Sequence, residues 1–118
     1  MKLDHINLTT TDPAATAEFL VRYFGLRHGG GNKGFMLVRD DGDMVITLMK
    51  AARVEYPETF HIGFYPATQT EVEALRDRLV ADGHPVTAPE RGHGYSIYVR
   101  APGGFTIEVT AGESGASG

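Results

Sequence analysis

Two short runs, half a chain apart, alternate in the same way, and together they limit what this chain can fold into. In Leu3-Asp4-His5-Ile6-Asn7-Leu8, Ile6 and Leu8 share one side of a strand while His5 and Asn7 share the other. In Phe60-His61-Ile62-Gly63-Phe64-Tyr65, Phe60, Ile62 and Phe64 share one side and His61, Gly63 and Tyr65 the other. Each run therefore predicts a half-buried strand that turns a histidine away from an apolar face. A structural role for each histidine stands beside a ligand role at this point.

The residues after each run repeat the same punctuation. Asp12 is suited to cap a helix N-terminus and Pro13 to its first turn, where a missing N–H costs nothing. Ala17, Leu20, Val21 and Phe24 then recur at helical spacing, and Gly25 ends the helix. In the second half Thr68 or Thr70 serves as the cap, Val72, Leu75 and Leu79 form the stripe, and Gly83 is the stop. The first helix is followed by a glycine connection at 29–32, and then by strands at 35–39 and 44–50 around an Asp-Gly turn. The second is followed by a short edge strand at 86–88, a loop at 89–94, and strands at 95–100 and 105–110 around Gly103.

Strand, helix and about three strands thus occur twice, with His5 matching His61, Gly25 matching Gly83 and Gly42 matching Gly103. Five residues past each hairpin glycine stand Thr47 and Glu108. The expected class is α+β: two βαβββ modules forming a curved, cupped mixed sheet with helices on its outer face. One domain at 1–110 is expected, with modules at 1–52 and 57–110 and a flexible tail at 111–118. On such a sheet His5, His61 and Glu108 share the face opposite the helices, and two imidazoles with one carboxylate suit a divalent metal with open positions.

Composition removes several classes. The chain of 118 residues has no cysteine, which excludes disulfides, thiolate metal sites and cysteine nucleophiles. Its net charge is −4 with no basic run, so nucleic acid is not an expected partner. No apolar run is long enough to cross a membrane, and no signal-peptide pattern opens the chain, so a cytoplasmic location is expected. The glycine cluster lacks the Gly-Lys-Ser/Thr ending of a phosphate loop, and the Asp40–Asp43 turn lacks the glutamate that closes a calcium loop.

Leu3-Asp4-His5-Ile6, Tyr23-Phe24-Gly25-Leu26, Phe60-His61-Ile62-Gly63-Phe64 and the segment from Tyr98 to Glu108 carry a resemblance over nearly the whole chain. In order and spacing they resemble the vicinal oxygen chelate superfamily of glyoxalase I, fosfomycin- and bleomycin-resistance proteins and extradiol dioxygenases. The resemblance implies a metal held by His5, His61 and Glu108, Fe(II) or Mn(II) ahead of Zn(II) or Ni(II). It implies a small substrate with vicinal oxygens, and a homodimer. Thr47 occupies the optional fourth position, where glyoxalase I-like enzymes carry a glutamate. The His-His-Glu set, with Tyr98 ten residues before Glu108, is closer to extradiol dioxygenases and fosfomycin-resistance transferases. The transferases' usual lysine and serine are missing from 88–94, and Asn7 stands where they have threonine.

The resemblance therefore implies a dioxygenase-like enzyme with Tyr98 as a catalytic, substrate-orienting donor. Asn7, Thr47, Tyr65 and His93 are expected to line the substrate site, with His93 a candidate acid–base group. Tyr98 shares a face with Glu108 only if the intervening hairpin loop has an odd number of residues or a bulge shifts the register. The alternatives are a metal-free, bleomycin-resistance-like binding protein and a glyoxalase-type lyase or isomerase.

Overall fold

The computed structural model describes residues 1–92 and 94–112, and among these the chain builds two βαβββ modules, an α+β architecture. Residues Met1–Glu58 with Ala101–Phe105 form one compact unit; the described residues of 59–100 and 106–112 form the other. No helix among the described residues is long and apolar enough to cross a membrane.

The first unit holds β1 (His5–Thr10), α1 (Pro13–Phe24), β2 (Arg27–Asn32), β3 (Phe35–Arg39) and β4 (Val45–Lys50). Its sheet runs β1-β4-β3-β2, with β1 parallel to β4 and the other pairs antiparallel. Asp12 caps α1 by accepting from Ala15 N at 3.1 Å, and Gly25 closes it at φ 72°. The buried stripe of α1 is broader than the expected one. Thr16, Phe19 and Tyr23 join Ala17 and Leu20, while Val21 and Phe24 sit at its half-buried margins. Leu8, Val38, Ile46 and Leu48 form the facing core.

Two expectations on this side are corrected or completed. The glycine stretch is not a loop: it forms edge strand β2, with an irregularity between His28 and Gly31. Glycine signals a loop in isolation, but here a Cβ at Gly29 would overlap the Leu37 side chain, and one at Gly31 would overlap Phe35 O. The loop Ala101–Phe105 is pinned to this unit from the other half of the sequence. Thr16 Oγ1, wholly buried, lies 2.5 Å from Pro102 O, 2.7 Å from Thr10 Oγ1 and 3.0 Å from Asp12 O. Gly103 adopts φ 97° there, and a Cβ on it would overlap Thr10 Oγ1.

The second unit holds β5 (His61–Phe64), α2 (Gln69–Ala81), β6 (Glu90–Arg91), β7 (Tyr95–Arg100) and β8 (Thr106–Ala111). Its sheet runs β5-β8-β7-β6, the same topology as the first. Thr68, not Thr70, is the cap, accepting from Glu71 N at 3.1 Å. Gly83 follows the helix at φ 84°, and His84 N reaches back to Leu79 O. Val72, Leu79, Ile97, Val99, Ile107 and Val109 make the core.

The expected edge strand at 86–88 reduces to a bridge between Val86 and Val99, and the strand beside β7 is β6, inside the expected loop. Ala111, assigned to the tail, is buried in β8; residues 113–118 lie outside the described residues.

The paired registers superimpose position for position. His5 pairs with Val45 and Val45 with Arg39; His61 pairs with Thr106 and Thr106 with Arg100. The next rows are Asn7–Thr47–Leu37 and Gly63–Glu108–Tyr98. Both hairpins close alike, Asp40 N to Met44 O at 3.1 Å and Ala101 N to Phe105 O at 2.9 Å.

Candidate functional site

The face of the second sheet opposite its apolar core is built by residues from three strands. β5 contributes His61, β8 contributes Glu108 and β7 contributes Tyr98. The hairpin loop 101–105 has an odd number of residues, so Tyr98 and Glu108 are direct cross-strand partners on one face. The Tyr98 hydroxyl donates to Glu108 Oε2 at 2.8 Å. The other carboxylate oxygen, Oε1, stands 3.5 Å from His61 Nε2. The Tyr98 ring meets the His61 ring edge-on, with centroids 6.3 Å apart. Gly63, opposite Glu108, leaves this corner uncovered: a Cβ on it would lie at ordinary contact distance, 3.9 Å from Oε1.

His61 is held from behind. Its Nδ1 lies 3.0 Å from the Thr59 carbonyl oxygen, which can only accept. Nδ1 therefore carries the proton, and in the neutral ring the Nε2 lone pair points at a carboxylate oxygen. The gap is bridged either by a proton on Nε2, which makes the two an ion pair, or by a cation that both hold. Ligands on a tetrahedral ion, each bonded at about 2.0–2.2 Å, stand about 3.4 Å apart. The donors, their spacing and their partial exposure (44% for the His61 side chain, 21% for Glu108) fit a divalent cation. The Thr59 carbonyl and the Tyr98 hydroxyl fix the orientation of the His61 ring and the Glu108 carboxylate, as outer-shell partners do for metal ligands.

The Glu108 hydrogen bond raises the pKa of Tyr98 above its ordinary value, with burial and the charges of Glu108 and Glu90 acting in the same direction. The phenol thus stays a donor at neutral pH.

The first unit repeats half of this pattern. His5, exposed at the start of β1, directs Nδ1 to Asp4 Oδ2 at 2.9 Å, again leaving Nε2 free. At the position equivalent to Glu108, the Thr47 hydroxyl donates to Asn7 Oδ1 at 2.8 Å. Thr47 and Asn7 are therefore brought together, as are His61, Glu108 and Tyr98. Among the described residues no three His, Asp or Glu side chains gather in metal-holding geometry. Tyr65 is exposed just beyond β5, and His93 lies outside the described residues. Sequence reasoning missed Asp4 and the Thr59 carbonyl. An acid next to His5 was a visible signal, but strand alternation sends neighbouring side chains apart, and only the position at the strand's first residue lets them meet.

A family model described as the Glyoxalase/Bleomycin resistance protein/Dioxygenase superfamily matches residues 2–109. Among solved structures, a possible glyoxalase from Bacillus cereus is 44% identical, with a TM-score of 0.89 over 93% of this chain and 98% of that one. The genomically encoded fosfomycin resistance protein FosX from Listeria monocytogenes, solved with Mn(II) and sulfate, is 24% identical. Its TM-score is 0.80 over 94% of this chain and 90% of that one, a likeness of fold. Among curated proteins, a metapyrocatechase from Geobacillus stearothermophilus is 29% identical over 92% of this chain. The match covers 36% of that protein, so this chain spans little more than a third of its length.

Proposed function

The chain belongs to the Glyoxalase/Bleomycin resistance protein/Dioxygenase superfamily, and from that membership we propose a metal-dependent, dioxygenase-like enzyme acting on a small substrate with vicinal oxygens. The observation that carries the proposal is the His61–Glu108 pair, whose Nε2 and Oε1 face one another at 3.5 Å while their rear atoms are committed to Thr59 and Tyr98. His5, His61 and Glu108 are the proposed ligands, and Fe(II) or Mn(II) the favoured ion, with Zn(II) or Ni(II) also compatible with this nitrogen–oxygen set. When bound, such an ion supplies Lewis acidity and a template for adjacent oxygens.

The chain's own residues do the rest. Thr59 and Asp4 hold the proton of each imidazole on Nδ1. Tyr98 fixes the rotation of the Glu108 carboxylate and keeps a phenol proton on the substrate-facing side of the sheet. Gly63 leaves Oε1 approachable. Thr47, its hydroxyl already given to Asn7, offers no carboxylate to shuttle protons, which weighs against a glyoxalase-type isomerase. Asn7, Thr47, Tyr65 and His93 remain proposed substrate contacts. A cytoplasmic homodimer completes the proposal; each sheet ends in two edge strands, β1 and β2 or β5 and β6, that a partner could cover.

The likeness to a possible glyoxalase favours a lyase as the second reading. Metal analysis of protein purified without chelators tests the first. About one ion per chain is expected, lost in His5→Ala, His61→Ala and Glu108→Gln, with oxygen uptake on a panel of catechols. No stoichiometric metal, or full retention in all three variants, sinks the metal reading. Metal-dependent turnover of a hemithioacetal without oxygen uptake selects the lyase.

A further inference from the structure

Each histidine row ends in an arginine. From His5 the row crosses Val45 to Arg39, and from His61 it crosses Thr106 to Arg100. Both arginines are the last residues of their strands, both stand eight residues before the Thr47/Glu108 position, and both are exposed. Ladder neighbours share a face, so Arg100 lies on the side of the sheet that carries His61, Glu108 and Tyr98, and Arg39 on the side that carries His5. Strands about 4.8 Å apart put each arginine Cα about 10 Å from the histidine Cα of its row.

Among the described residues, neither guanidinium has a carboxylate partner, although the chain is acidic overall with net charge −4. Arg39 is also paired directly across the ladder with Arg27, whose Nη2 donates to Asp40 O at 3.2 Å. Like charges placed directly opposite weaken a sheet, and an anion bound between or beside them removes that cost. The modules share little sequence, yet both keep a cation at this register position.

We propose that the substrate is an oxyanion, and that Arg100, the arginine ending the His61 row, holds its carboxylate or phosphoryl group. This rests on the metal reading for the other end of the substrate, where vicinal oxygens meet His61 and Glu108. An aromatic ring with vicinal hydroxyls at one end and an acid group at the other spans the separation. The guanidinium fork pairs with such a group bidentately. The chain has no basic run to track a polymer backbone, so the oxyanion is a small molecule's.

Two measurements on the full chain test this. Calorimetric titration of Mn(II)-loaded protein with 3,4-dihydroxybenzoate and with catechol gives the ratio of their affinities. A preference of at least tenfold for the acid is expected. Arg100→Met should bring it to within about twofold of unity, and Arg100→Lys should keep part of it. The second measurement needs no metal. In ion-free protein, benzoate and inorganic phosphate are titrated while the arginine Nε–H resonances are followed by NMR. Saturable shifts of Arg100 that weaken with added salt support the proposal, and the stronger probe separates carboxylate from phosphoryl substrates. A preference that survives in Arg100→Met, or an Arg100 resonance that neither anion moves, overturns it. If the protein takes up no metal, only the reading of the other end fails, because the NMR titration still decides the role of Arg100.

Discussion

Replacing Tyr98 by phenylalanine removes one oxygen from a face that carries both proposed ligands of the second unit. The lost bond is an O–H donor 2.8 Å from Glu108 Oε2, on a side chain with 21% exposure. Hydrogen bonds to charged groups contribute about 1.5–3 kcal/mol, but the partly exposed carboxylate recovers water in the metal-free protein. The cost to the ion-free fold is therefore expected at about 1 kcal/mol or less. Binding of an ion suffers more, because the carboxylate regains its rotation and must be ordered again. Outer-shell changes of this kind weaken metal affinity about 10–100-fold, which corresponds to about 1.4–2.7 kcal/mol. Competition against a chromophoric chelator measures it. Tyr95→Phe serves as the control, since its hydroxyl bonds to Glu73 at 2.7 Å and not to the site. Affinity of Tyr98→Phe within twofold of the unsubstituted chain, with Glu108→Gln losing the metal, would refute the positioning role.

Thr16→Val keeps shape but deprives Pro102 O and Thr10 Oγ1 of their buried partner. A loss of about 1–3 kcal/mol is expected in urea unfolding, and a change below about 0.5 kcal/mol would show that the threonine clasp does not hold the loop. Gly103→Ala should destabilise the same loop more, since the residue sits at φ 97° with no room for a Cβ. Tyr95 has its pKa raised, chiefly by the hydrogen bond to Glu73. A raised phenol pKa means that the bond's contribution is fully present below the unfolded value, near 10, and is lost as pH rises through the folded value. Absorbance titration of the phenols should show two late-ionising tyrosines, Tyr95 and Tyr98, one of which moves down in Glu73→Gln, and an unchanged profile would discount the bond.

The parts of the fold that follow local rules were legible in the sequence. Asp12 and Pro13, Gly25, Thr68 and the alternation around His5 and His61 all act within a few residues, and the structure uses each of them as expected. Features that depend on a neighbour were not legible. Gly29 and Gly31 belong to a strand because Leu37 and Phe35 lie against them, which composition does not reveal. The α1 stripe includes Thr16 because its partner is Pro102, 86 residues away. The Tyr98–Glu108 pairing depended on loop parity, which fixes which side each residue faces. Arg39 and Arg100 were in plain view at equal offsets from Thr47 and Glu108, but only the ladders tie them to the histidines.

The matched registers also bear on how such a chain can change over generations. Equivalent rows hold Asn7–Thr47–Leu37 in one half and Gly63–Glu108–Tyr98 in the other. After a duplication, one copy can conserve its chemistry while its twin accumulates substitutions at the same lattice points, each tried on a backbone already known to tolerate it. A division of labour of that kind leaves inheritance free to edit one half of the molecule without rewriting the other.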